Sequence, residues 1–69
     1  MTKARLEKKY GVSIEWDHWN EEYVIYSADD CKWENGLHSI KACEKECKEW
    51  ETELLAIKQR VAEYRASLR

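Results

Sequence analysis

From Ser39 to the end of the chain, apolar residues recur at alternating steps of three and four: Ile40, Cys43, Cys47, Trp50, Leu54, Ile57, Val61, Tyr64 and Leu68. No Gly or Pro interrupts this stretch, and Ser39 is a good N-cap, so the pattern predicts one unbroken helix with a heptad stripe. With Ile40 at position a, the a row is Ile40, Cys47, Leu54, Val61 and Leu68, and the d row is Cys43, Trp50, Ile57 and Tyr64. Upstream the period changes to two. Val12, Ile14 and Trp16 alternate with Ser13, Glu15 and Asp17, as in a half-buried strand. Glu22 to Ala28 holds the β-favouring run Tyr23-Val24-Ile25-Tyr26 and predicts a second strand. After the turn at Asp29-Asp30, Cys31, Trp33 and Leu37 alternate with Lys32 and Glu34 and predict a third, closing near Asn35-Gly36. A helix from Asp29 or Asp30 to Gly36 is the alternative. The strand is preferred because two strands alone rarely hold together. At the start, Thr2 caps a short helix with Leu6 and Tyr10 on one side, ended by Gly11. The expectation is one α+β domain over residues 1–69: a short helix in 1–11, a β-meander in 12–37 and a long helix in 38–69.

The length of the stripe decides what it faces. About 29 helical residues span about 43 Å, whereas strands of ordinary length reach only about 17–20 Å. The sheet covers the Cys43-Cys47-Trp50 half, and the stretch through Leu68 is left for a second chain. The flanking charges choose its direction. Glu44, Glu51, Lys58 and Arg65 occupy e, and Glu46, Glu53, Arg60 and Ser67 occupy g. In a parallel pair Glu46 meets Glu51 and Arg60 meets Arg65, which repel, and only Glu53 with Lys58 attracts. In an antiparallel pair centred near Leu55, Glu44 meets Arg65, Glu51 meets Lys58 and Glu53 meets Arg60. The apolar layers are then Leu54 with Ile57, Cys47 with Tyr64 and Trp50 with Val61. Exposed pairs are worth only about 0.2–1 kcal/mol each, so they set direction while apolar burial supplies affinity. Acid early and base late also suits the dipole of a lone helix, but that does not account for the length of the stripe.

Composition reinforces this reading. At 69 residues and 8.3 kDa, with 43% hydrophobic and 38% charged residues, the chain is a folded domain that buries only about 60% of its unfolded surface. No apolar run approaches the ~18 residues of a membrane span, and the first residues are charged rather than apolar. Three cysteines, Cys31, Cys43 and Cys47, are too few for a disulfide scaffold and point to a reducing, cytoplasmic setting. A Cys3His zinc site from these and His38 matches no common ligand spacing, so reduced thiols filling a core are preferred and no cofactor is expected. His18 sits beside Asp17 on a hairpin tip without a neighbouring nucleophile, and so small a body can hardly enclose a reaction site; the chain is read as non-enzymatic.

Net charge is -2, unevenly spread. Lys3, Arg5, Lys8 and Lys9 against Glu7 give +3 over residues 1–11. Glu15, Asp17, Glu21, Glu22, Asp29, Asp30 and Glu34 against Lys32 give -6 over 12–37. Eight aromatics, four Trp and four Tyr, are many for such a body, and Trp19, Tyr26 and the Asp29-Asp30 edge are candidate contacts for a protein partner. Three strands leading through Gly36-Leu37-His38-Ser39-Ile40-Lys41-Ala42-Cys43 into a helix resemble, over residues 12 to about 50, the small sheet-reading DNA-binding domains of some integrases and plant transcription factors. Those domains read DNA with a basic sheet face, and here the same region is acidic. Nucleic-acid binding is therefore the second reading, using the basic N-terminus and Arg60, Arg65 and Arg69. The size, acidic strand region and charged helical tail resemble small accessory proteins of tailed bacteriophages and prophages. That resemblance implies a protein of the host cytoplasm that modulates a host or phage partner by binding it.

Overall fold

The computed structural model describes residues 1–68. The fold is α+β: α1 (Lys3–Tyr10), β1 (Ser13–Asp17), β2 (Glu22–Tyr26), β3 (Lys32–Leu37), then α2 (Ile40–Glu49) and α3 (Glu51–Ser67), which together form the long C-terminal helix. The strands make an antiparallel meander in the order β1-β2-β3. Ile14 lies opposite Ile25 and Trp16 opposite Tyr23. The core lies between the sheet and the helices and contains Leu6, Tyr10, Val12, Ile14, Ile25, Cys43, Cys47 and Leu54.

Local chemistry sets each boundary. Thr2 Oγ1 accepts from Arg5 N at 3.3 Å to start α1, and Gly11, at φ 69°, ends it in the left-handed conformation a side chain disfavours. The free edge of β1 is capped by α1, since Ile14 N donates to Glu7 Oε2 at 2.9 Å, occupying a group that would otherwise invite strand addition. Asp17 builds the β1–β2 turn by accepting from Trp19 N at 2.9 Å and Asn20 N at 3.3 Å. The Asn20 amide donates to its other oxygen at 2.8 Å. These bonds, the Asn20 side chain first, hold the Asp17 carboxyl below its ordinary pKa.

The second strand is shorter than expected. It stops at Tyr26 rather than Ala28 because Ser27 turns the chain: its N–H donates to Cys31 O at 2.9 Å and its hydroxyl bonds the Asp29 carboxylate. The third strand runs through Asn35-Gly36 to Leu37 instead of closing there. Between the Tyr23–Leu37 and Ile25–Glu34 pairs, β3 uses one more residue than β2. Gly36 absorbs the bulge at φ 76° and donates its N–H to Glu22 Oε2 at 2.9 Å.

The expected unbroken helix is interrupted at Trp50, whose φ of -108° and ψ of 25° leave the helical region. The backbone bonds Trp50 N to Glu46 O (3.2 Å) and Leu54 N to Trp50 O (2.9 Å) carry the chain through the bend. No Gly or Pro causes it. It lies where the sheet ends: α2 packs on both α1 and the sheet through Cys43 and Cys47, whereas α3 keeps α1 and leaves the sheet.

Candidate interaction surface

Three contacts fasten α3 to α1. Leu54 is buried in the shared core. The Tyr10 hydroxyl donates to Glu51 Oε2 at 3.1 Å, and burial followed by the Glu51 carboxylate pushes the Tyr10 phenol up from its ordinary pKa. The Lys58 stem crosses Gly11, and its ammonium donates to Lys8 O at 3.0 Å and Lys9 O at 3.2 Å. A cation at a helix C-terminus satisfies exposed carbonyls and complements the dipole. Sequence reasoning missed these roles of Tyr10, Gly11 and Lys58: Gly11 is visible as a helix stop, but nothing in the spacing pairs it with a residue 47 positions on.

The heptad stripe therefore divides. From the a row, Cys47 and Leu54 enter the chain's own core, and Val61 is half-buried. From the d row, Cys43 is buried, but Trp50 keeps 44% exposure, Ile57 is half-buried and Tyr64 is 65% exposed; Leu68 beyond it is 68% exposed. Trp50 packs edge-on against Trp33, with ring centroids 5.9 Å apart, and its indole N–H donates to Glu46 Oε1 at 3.1 Å. Beside this row a groove of about 310 Å³ runs between α3 and the β2–β3 turn, lined by Asp29, Ile57, Arg60, Val61 and Tyr64.

The charges expected along a seam have mixed fates. Glu51 and Lys58 are engaged with α1 of their own chain. Glu44 lies 3.5 Å from the Met1 amino group. Glu53, Arg60 and Arg65 are exposed, and Arg69 lies outside the described residues. Of the candidate partner contacts, Trp19 stands 96% exposed at the hairpin tip. Tyr26 is half-buried on the sheet face away from the core, and Asp30 is exposed. Asp29, also exposed, serves the turn: its carboxylate holds the Ser27 hydroxyl and accepts from Cys31 N at 3.4 Å, and chiefly the Ser27 bond lowers its pKa. Trp16, expected inside with Ile14, is 43% exposed and packs edge-on against Tyr23 at 4.8 Å.

The thiols do not converge on one point at the surface. Cys43 and Cys47 are buried and Cys31 is exposed, and among the described residues no cluster of three metal-ligating side chains forms. Desolvation raises the pKa of both buried thiols, that of Cys47 to about 11. Asp29 raises that of Cys31. Among the described residues no helix is long and apolar enough to cross a membrane. No protein-family model matches the chain, and no curated protein or solved structure matches it.

Proposed function

We propose that the chain is a non-enzymatic protein-interaction module that works as a homo-oligomer, paired through the outer side of α3. The observation that carries this reading is the partly uncovered apolar row on a helix whose other side is already docked: Trp50, Ile57, Tyr64 and Leu68 recur at helical spacing, and the last two are 65% and 68% exposed. Such a row is costly to leave in water and inexpensive to cover with a second molecule. The same reading gives Trp19, at the hairpin tip, to a different protein partner, as suits a cytoplasmic accessory protein of the phage kind that acts by binding. Light scattering or sedimentation in reducing buffer tests it. A mass of at least twice 8.3 kDa is expected, and a single-chain mass across the micromolar range overturns it.

A second reading, nucleic-acid binding, is favoured by one cleft along α1, lined by Met1, Arg5, Lys8, Lys9 and Lys58. It predicts retention on DNA or RNA that falls steeply with salt. The acidic strand region opposes it, and the Lys58 ammonium is already engaged with backbone carbonyls.

A further inference from the structure

If the chain pairs with itself as proposed above, the fold dictates which residues do the pairing. An antiparallel seam layered Cys47 on Tyr64 and Leu54 on Ile57 needs side chains that are fully buried in the chain's own core. It also needs Glu51 and Lys58, which α1 holds. The outer row remains. We propose that a second copy of this chain docks antiparallel on the Trp50, Ile57 and Tyr64 row, with a two-fold axis at Ile57 and each Trp50 seated in the other copy's groove between α3 and the β2–β3 turn.

Three observations fit together. Trp50 and Tyr64 each stand seven residues from Ile57, so a two-fold axis there brings Trp50 of one copy beside Tyr64 of the other, along a contact about 21 Å long. The groove of about 310 Å³ flanks that same Tyr64, and Trp50 offers its exposed side while its edge stays on Trp33. Knob and hole thus belong to one surface and match under the symmetry a dimer uses. Finally, Glu53 and Arg60 are exposed on the flank of the row and nearly exchange places across the axis, giving two opposite-charge contacts per dimer. A parallel pair would instead set Arg60 against Arg65, which is unfavourable, and would separate Glu53 from Arg60.

Charge reversal and cross-linking test this. Arg60→Glu and Glu53→Arg, each alone, are expected to weaken dimerisation about tenfold, and the double reversal to restore it. In a Cys31→Ser background, Ile57→Cys is expected to form a covalent dimer on mild oxidation and Gln59→Cys, on another side of the helix, to stay uncoupled. A dimer that ignores both single reversals, or whose Ile57→Cys form stays uncrosslinked, overturns this docking while self-association stands. A chain that is monomeric throughout overturns self-association itself.

Discussion

Lys58 lies across Gly11 so closely that a β-carbon built on the glycine falls 2.7 Å from the lysine Cγ. Gly11 thus has two reasons to lack a side chain: its φ of 69° and the stem above it. Gly11→Ala is expected to cost about 1–2 kcal/mol from the left-handed backbone, plus whatever is needed to displace Lys58. Urea denaturation of Gly11→Ala, Lys58→Ala and the double variant separates the two. The glycine substitution should cost less when Lys58 is already shortened, and strict additivity would mean that the stem simply swings aside.

The position of Leu54 separates folding from assembly. Its side chain is 1% exposed, so Leu54→Ala is expected to destabilise the monomer by about 2–5 kcal/mol, and Leu54→Glu to unfold it. Neither reports on pairing. Tyr64→Glu is the informative change, because Tyr64 is mostly in water: circular dichroism and the urea midpoint at low concentration should stay close to wild type while sedimentation shifts to single chains. Loss of helicity in that variant would mean that α3 depends on its partner to fold.

Alkaline pH should unfasten the same helices. The pKa values of Cys43, Cys47 and Tyr10 are all raised in the fold, so the native state holds these protons more tightly than the unfolded chain does. Their contribution is complete below the ordinary thiol range and lost as pH climbs through it toward about 11 for Cys47. The thermal midpoint is therefore expected to hold up to pH 9 and fall above it, and to fall less steeply in Cys47→Ala. A midpoint unchanged to pH 11 would mean that these groups are not buried.

Much of this architecture is legible in the residues. Ile14 and Trp16 of the period-two run lie in β1, which starts one residue after Val12, the Tyr23–Tyr26 run lies in β2, and Thr2, Gly11 and Ser39 cap helices as their chemistry predicts. The departures along the helix have one physical source: a stripe shows that a helix face is apolar but not what covers each row. Leu54 and Tyr64 both belong to the stripe, and only the return of α1 over α3 buries the first and leaves the second outside. The same contact draws Glu51 and Lys58 inward, which spacing along one helix cannot reveal. Asn35-Gly36 carries a turn signature yet sits in a bulge, because Glu22 supplies the Gly36 N–H with a partner.

Thiol chemistry reads the packing of α2 residue by residue. Cys31 is exposed and Cys43 and Cys47 are inaccessible, so a disulfide reagent at pH 8 should label one thiol per chain quickly and two slowly, the slow pair becoming fast in urea. The fast site should itself be slower than a free cysteine, because the Asp29 carboxylate disfavours the Cys31 thiolate. Asp29→Asn should therefore quicken it, provided the Ser27 hydroxyl bond that shapes the turn survives the change. The slow pair reacts only when α2 lifts from the sheet, so its rate measures that opening. Two fast labels in native buffer would mean that α2 detaches readily and that the sheet does not hold the first half of the stripe.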